Sequence, residues 1–262
     1  MHKWLDNVSH NNALGKLPPE HKLGFALIVL IISLIAYPTV HIIIALWMSI
    51  WILIYGKISF KIYSKLLILA ITFLLTSIPA LLISVITISA KSNIYNDVIL
   101  GFNLGNYYLY LSHEGLRQTT LIFSRTLATV SCFYFILLTT PFTEILKVLR
   151  NIGFPIILTE LLLLMYRFIL ILLTTAQEIW IAQKSRNGYK NKKRWLYSLS
   201  LLISQLFHKT FEYYRQFLLS TKSRGFNGEF RVYSSRNYQP SLRYLIEAIV
   251  GCIILVILNI KL

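Results

Sequence analysis

The chain has 262 residues, of which 56% are hydrophobic and only 14% are charged, and its mean hydropathy is +0.62. A soluble domain keeps roughly 25% of its residues charged, so this composition excludes an ordinary soluble protein and predicts an all-α integral membrane protein. The net charge is +16, and +11 of it lies in residues 140–243, where 16 basic residues stand against five acidic ones. Beside membrane spans, such a stretch is typical of cytoplasmic surface near anionic lipid, and we expect no nucleic-acid partner.

Apolar runs in the first half predict a transmembrane bundle over residues 1–139, with spans near 23–37, 40–55, 66–90 and 116–139. Tyr37-Pro38-Thr39 divides the first two runs into a helical hairpin, because proline disfavours helix in the residue before it. Lysines in residues 3–22 and 57–65 predict a cytoplasmic N-terminus. Residues 91–115 contain a hairpin-like pattern and predict a small extracytoplasmic cap.

The fourth apolar run carries polar residues on one helical stripe, at offsets of seven, four and three: Gln118, Arg125, Thr129 and Cys132. We expect this stripe to face the interior of the bundle. Arg125 is then either a functional intramembrane charge or a packing contact to a carbonyl or to a neighbouring helix, and the packing interpretation is favoured.

The middle of the chain, residues 140–240, predicts a cytoplasmic region in which a short amphipathic helix at 143–151 is followed by two long helices. The run 156–181 is apolar, but both of its flanks are basic, and both cannot be cytoplasmic if one helix crosses between them. Its charges at Glu160, Arg167 and Glu178 would each cost about 2.5–3.5 kcal/mol at mid-bilayer. We therefore predict that it lies along the membrane or under the bundle. If it crosses instead as a pair with the next helix, at 195–219, the C-terminus stays on the same side. Residues 241–262 predict the fifth span, a C-terminal transmembrane helix.

Motifs for catalysis and metal binding are missing from the sequence: there is no GxxxxGK[ST], HExxH or GxSxG, and no histidine pair at ligand spacing. We therefore predict no catalytic or metal-ligating residue. The two long helices end in a similar way, at 186 and 224. Each end has a small residue, which allows close contact with a partner, and an arginine, whose guanidinium is a planar fork of donors. A residue that terminates the helix follows the arginine. From spacing alone, two ordinary basic helix C-termini are the favoured interpretation. The residues concerned are Ser185, Arg186, Asn187, Ser223, Arg224 and Gly225.

These residues resemble the transmembrane T component of energy-coupling factor transporters, in particular the CbiQ-type subunit of cobalt uptake systems. The resemblance is carried, in chain order, by residues 17–23, 139–146, 149–155, 164–167 and 223–230. It implies a non-catalytic scaffold with two Ala-Arg-Gly motifs at the ends of cytoplasmic coupling helices. Carried over to this chain, Arg186 and Arg224 would be the coupling arginines, and Ser185 and Ser223 stand where the family has Ala. Asn187 replaces a Gly of the motif, and Gly188 is expected to terminate that helix in its place.

The partners that the resemblance implies are two ABC-type ATPase subunits and a substrate-binding membrane subunit, either an S component or a CbiM-like protein. ATP would bind to the ATPases, and this chain would carry no cofactor. The substrate would be cobalt, with nickel as the alternative, and the location a bacterial-type cell membrane. From another class, the alternative is a self-contained permease or an integral membrane enzyme with a mid-membrane polar site around Arg125. A membrane anchor with no transport role is a third interpretation.

Overall fold

The computed structural model describes residues 8–10, 12–87, 98–104, 107–225 and 238–261. Within these ranges the chain forms eight α-helices of ten residues or more and three β-strands. The helices are α1 (Pro19–Ile35), α2 (Pro38–Ile50), α3 (Phe60–Leu82), α4 (His113–Thr139), α5 (Phe142–Asn151), α6 (Ile156–Ser185), α7 (Lys192–Ser223) and α8 (Leu242–Lys261). The strands are β1 (Ile83–Thr87), β2 (Val98–Leu104) and β3 (Tyr107–Ser112).

The chain divides into two compact units, which are described separately. The first, here called the membrane unit, contains α1–α4, the three strands and α8, within residues 4–142 and 236–262. The second, here called the hairpin unit, contains α6 and α7 and nearly all of α5, within residues 143–235.

The predicted helical membrane class is confirmed. Among the described residues, five helices are long and apolar enough to cross a membrane: Pro38–Tyr55, in which a π-helical turn extends α2, together with α3, α4, α6 and α8. This set differs from the five predicted spans, since it includes α6 and leaves out the 17-residue α1. Helix α6 has 30 residues, and its mean hydropathy is high enough for a membrane span despite the charges scattered along it. Which helices cross the bilayer therefore stays a prediction.

The hairpin of α1 and α2 confirms the break predicted at Tyr37-Pro38. Helix α1 ends at Ile35, and Pro38 is the first residue of α2. Proline suits this position, because the first helical residue needs no amide donor and its φ is already helical. The two helices therefore join through a connection of two residues.

A small antiparallel sheet with strand order β1-β3-β2 follows α3. The predicted span 66–90 is helical only as far as Leu82, because residues 83–87 pair with β3 as strand β1. This segment is Ile-Ser-Val-Ile-Thr, rich in the β-branched residues that favour strands. Strands β2 and β3 confirm the hairpin predicted in the cap, although residues 88–97, 105 and 106 lie outside the described ranges.

Aromatic rings fill the centre of the membrane unit. The ring of Phe25 lies 4.9 Å from that of Trp51 and 5.7 Å from that of Phe135. Helix α8 joins this bundle through Gly251, where an added Cβ would lie 2.1 Å from a ring carbon of Trp47. Close approach of two helices through a small residue is the usual way in which spans associate, because lipid supplies no hydrophobic driving force between them.

Helices α6 and α7 run antiparallel. Near their connection, the Gln183 side-chain amide donates a hydrogen bond to the Ser198 carbonyl at 3.0 Å. Far from the connection, the ring of Phe217 lies 6.0 Å from the ring of Phe168. The Arg167 guanidinium lies 5.6 Å from the centroid of the same Phe217 ring. Helix α7 has 32 residues and is therefore about 48 Å long. The C-termini of α6 and α7 thus lie at opposite ends of the hairpin.

Candidate functional site: two arginine-bearing helix ends

The first arginine end, residues 185–187, closes α6 with a Schellman motif. Arg186 is the C-cap, with φ −93° and ψ 18°, and Asn187 follows in the left-handed region with φ +56°. The Asn187 amide donates to the Lys184 carbonyl at 3.1 Å, and the Gly188 amide donates to the Gln183 carbonyl at 2.9 Å. These two bonds satisfy carbonyl groups that the end of a helix otherwise leaves open.

The second arginine end, residues 223–225, closes α7 with the same C-cap and left-handed conformations. Arg224 is the C-cap, with φ −91° and ψ 8°, and Gly225 is left-handed with φ +68°. The Gly225 amide donates to the Lys222 carbonyl at 3.1 Å, which matches the bond made by Asn187. Residues 226–230, which carry part of the resemblance, lie outside the described ranges.

Asn187 therefore takes the backbone conformation that Gly225 takes in the second end. The expectation that Gly188 would terminate α6 is wrong, because Asn187 itself makes the left-handed turn. Asparagine is the residue best able to replace glycine there, since its short polar side chain tolerates positive φ. Gly188 is needed for another reason: an added Cβ would lie 2.7 Å from Oγ of Ser198.

The two serines of the arginine ends also behave alike. The Ser185 hydroxyl donates to the Ala182 carbonyl at 2.9 Å, and the Ser223 hydroxyl donates to the Ser220 carbonyl at 2.9 Å. Each hydroxyl is thus satisfied within its own helix and demands nothing from a partner. A serine with its hydroxyl turned back to the helix presents nearly the small surface of alanine.

All six residues of the two ends are exposed. Each end displays two basic side chains, Lys184 and Arg186 in the first and Lys222 and Arg224 in the second. Cations at a helix C-terminus are stabilised by the helix dipole, and the guanidinium adds a planar fork of donors for carboxylates and carbonyls. The two ends therefore present the same surface, a small residue followed by an exposed arginine, at two separate places.

A set of side chains that sequence reasoning missed holds the first end in place. The Tyr189 hydroxyl donates to Oε1 of Gln183 at 2.7 Å, and the Ser198 hydroxyl donates to the Gly188 carbonyl at 2.8 Å. Together with the Gln183–Ser198 bond, these contacts tie the connection to the first turns of α7. No spacing signal marks them in the sequence, because each bond joins residues on either side of a turn whose geometry is unknown in advance.

The C-terminal end of α4 receives two further contacts that no motif predicts. The buried Lys22 side chain donates to the Thr139 carbonyl at 3.1 Å. The Asn12 side-chain amide donates to the carbonyls of Thr139 at 3.0 Å and Leu138 at 3.3 Å. A cation and an amide thus meet the negative end of the α4 dipole, immediately before Pro141.

The predicted polar stripe of α4 is only partly confirmed. Cys132 is fully buried, but Arg125 and Thr129 are half-buried and Gln118 is exposed. The interior position next to Arg125 belongs instead to Ser124, which lies one residue earlier and faces α2. The four residues lie within about 60° of one another around the helix, so their burial differs with position along α4, from Gln118 near its start to Cys132 further along.

Among the described residues, no group of three or more His, Cys, Asp and Glu side chains lies close enough together to hold a metal ion. His41, fully buried in α2, lies 2.8 Å through Nε2 from the Ser33 carbonyl and 3.1 Å through Nδ1 from the Ser124 hydroxyl. The carbonyl can only accept, so Nε2 carries the proton. The imidazole thereby links α1, α2 and α4.

Comparison with known proteins points to one family. The family model CbiQ, described as cobalt transport protein, matches residues 10–234. An uncharacterized protein of Methanocaldococcus jannaschii is 29% identical over 98% of this chain and 92% of its own length. The cobalt transport protein CbiQ of Salmonella typhimurium is 25% identical over 87% of this chain and 99% of its own length. A putative fused cobalt transport protein CbiMQ of Methanocorpusculum labreanum is 32% identical over 86% of this chain, which spans 36% of that longer protein.

Proposed function

Because this chain belongs to the CbiQ family of cobalt transport proteins, we propose that it is the transmembrane coupling subunit, or T component, of an ATP-driven cobalt uptake system. It is a multi-pass membrane protein, and in this proposal it catalyses nothing itself. Two ABC-type ATPases bind and hydrolyse ATP in the cytoplasm, and a separate membrane subunit binds the metal. This chain transmits the movement of the ATPases to the metal-binding subunit.

The observation that carries the proposal is the matched geometry of the two arginine ends. Both have an exposed serine, an arginine at the C-cap and a left-handed residue, on helices that are joined as one hairpin. Two copies of one ATPase would need two equivalent docking sites on this single chain. Opposite ends of a hairpin about 48 Å long leave room for one ATPase at each.

The coupling step follows from the stiffness of the helices. An ATPase that grips the Arg186 end or the Arg224 end and then moves applies its displacement to a rigid helix, and the hairpin carries that displacement as one body. The fused CbiMQ relative supports a CbiM-like protein as the subunit that receives this movement, since its name joins the two components in one chain. Cobalt is the substrate that the family name supports, and nickel is the alternative.

Charge reversal at both arginine ends tests the proposal. The chain is purified in mild detergent from cells that also make its ATPases and its substrate-binding subunit, as wild type and as Arg186→Glu, Arg224→Glu. We expect the wild type to recover ATP-binding-cassette ATPases and the double variant to lose them while it still inserts into the membrane. Arg215→Glu is the matched control, an exposed arginine on α7 that belongs to neither end.

The same variants distinguish the alternative of a self-contained permease or membrane enzyme. Cobalt uptake by cells that carry the double variant should fall to background in the coupling proposal. A protein that works alone would keep its activity after loss of both arginine ends, and would recover no ATPase even as wild type.

A further inference from the structure

Arg125 is a charge in the middle of α4, a helix that is long and apolar enough to cross a membrane. It lies 12 residues after His113 and 14 before Thr139, or about 18 Å and 21 Å from the two ends of α4. Among the described helices of the membrane unit, it is the charged residue farthest from a helix end. A charge at such a depth costs about 2.5–3.5 kcal/mol, so a retained arginine needs a compensating partner.

The described part of this chain does not supply that partner. The Nε atom of Arg125 is buried and makes no hydrogen bond. Two ion pairs of the membrane unit, Arg117 with Glu114 and Arg243 with Glu247, join acids to other arginines. Among the described residues, Nε of Arg125 therefore lacks the expected packing contact, either to a carbonyl or to a residue on a neighbouring helix.

The rotation of α4 fixes where the guanidinium lies. Ser124 is held inward by its contact with the buried His41, so the next residue lies 100° further around the helix, at the edge of the packed face. Beyond that edge α4 is exposed, with Ile122 at 37% and Phe133 at 55%. Arg125 thus borders an apolar surface that is open to another membrane helix.

The other polar groups on this surface are satisfied within the helix. The Thr126 hydroxyl donates to the Ile122 carbonyl at 2.7 Å, and the Thr129 hydroxyl donates to the Arg125 carbonyl at 3.1 Å. On this surface, the Arg125 guanidinium is therefore the group that needs an anion from outside the chain.

We propose that Arg125 pairs with a carboxylate on a membrane helix of the substrate-binding subunit, with the exposed face of α4 around Ile122 and Phe133 as the contact surface. This inference rests on the proposed function. A carboxylate suits the planar donor fork, and a pair inside a bilayer is strengthened by the low dielectric constant. A lipid phosphate is the other source of an anion, but arginines reach the headgroups from positions near helix ends.

Zero-length cross-linking identifies the partner atom. The Arg125→Lys variant places an amine at the site, and dicyclohexylcarbodiimide, which enters membranes, joins an amine to a contacting carboxylate as an amide with loss of water. In membranes that contain the whole transporter, we expect a linked peptide in which an Asp or Glu of the substrate-binding subunit lies within an apolar run. A link to a phospholipid, a link to Glu114 or Glu247 of this chain, or no link at all would overturn the proposal.

Recovery of partners gives the second readout. We expect Arg125→Gln to reduce the recovery of the substrate-binding subunit by at least about thirtyfold relative to the wild type, while the recovery of ATPases stays at the wild-type level. Arg117→Gln is the matched control, on the same helix with its side chain 80% exposed. Equal recovery with Arg125→Gln and wild type would contradict the pairing at Arg125. Failure of the coupling role itself looks different, because no ATPase would then be recovered by the wild type.

Discussion

The membrane unit and the hairpin unit bury very different residues. In the membrane unit, the fully buried side chains are mostly large and apolar, such as Val29, Met48 and Phe135. In α6 and α7 the buried residues are Thr159, Thr175 and Ser198, all of them polar. Large apolar side chains of the two helices are exposed instead, among them Ile157 at 72%, Tyr197 at 66% and Phe207 at 65%.

This contrast indicates that packing within the chain dominates in the membrane unit, whereas contacts with partners dominate in the hairpin unit. The membrane unit gains its stability from its own packing, so its interior residues should decide whether the protein folds. The hairpin unit has little interior of its own, so its residues should decide what the protein binds. Substitutions that separate stability from association can therefore sharpen or break the distinction.

The largest effect on stability is expected at Phe135, whose ring packs against Phe25 and Trp51 in the centre of the membrane unit. Phe135→Ala should lower the free energy of unfolding in detergent by about 3–5 kcal/mol, because it leaves a cavity among aromatic rings. Phe133→Ala is the control, since that ring is 55% exposed on the same helix. Equal losses in the two variants would show that the aromatic centre has no special weight.

A smaller effect is expected where α8 meets α2. Gly251→Ala adds a Cβ that would lie 2.1 Å from a ring carbon of Trp47, and overpacking of this kind costs about 1–3 kcal/mol. Gly24→Ala adds the same atom where no other atom lies within 4 Å. Thermal unfolding should show a lower transition temperature for the first variant only, and an unchanged transition in Gly251→Ala would contradict the close approach.

In the hairpin unit, a change at Asn187 should alter association more than stability. Asn187→Val puts a β-branched residue at φ +56°, where its backbone is strained, so the first arginine end should lose its shape and retain less ATPase. Asn187→Gly should retain ATPase as the wild type does and stabilise the turn by under about 1 kcal/mol. Equal ATPase recovery by the two variants would mean that the left-handed turn does not shape the end.

The smallest effect is expected from Ser185→Ala with Ser223→Ala. Both hydroxyls only return a hydrogen bond to their own helices, so the change in unfolding free energy should stay within about 0.5 kcal/mol. ATPase recovery should also be unchanged. A large loss would instead mean that these hydroxyls contact the partner directly.

Sequence patterns predict the local elements of this protein better than their placement. The break at Pro38, the hairpin of β2 and β3 and the ends of α6 and α7 all follow from proline, alternation and helix-ending residues, which act over a few positions. Strand β1 was missed because its apolar β-branched residues continue the hydropathy of α3, and its paired residues in β3 lie 20 to 28 positions away in the chain.

The candidate site shows the same limit. The residues of both arginine ends were predicted, but not that Asn187 would make the turn itself, because Asn and Gly both tolerate positive φ and two candidates stood side by side. The contacts of Asn12 and Lys22 with the end of α4 join residues far apart in the chain, so no spacing could have announced them. The missing partner of Arg125 likewise became visible only once the neighbouring helices were in place.

The most direct measurement of the central claim is the number of ATPases that one copy of this chain binds. Native mass spectrometry of the detergent-purified complex can count them for the wild type, Arg186→Glu, Arg224→Glu and the double variant. The account predicts two ATPases with the wild type, fewer with either single variant and none with the double variant. Retention of two ATPases by the double variant would contradict it.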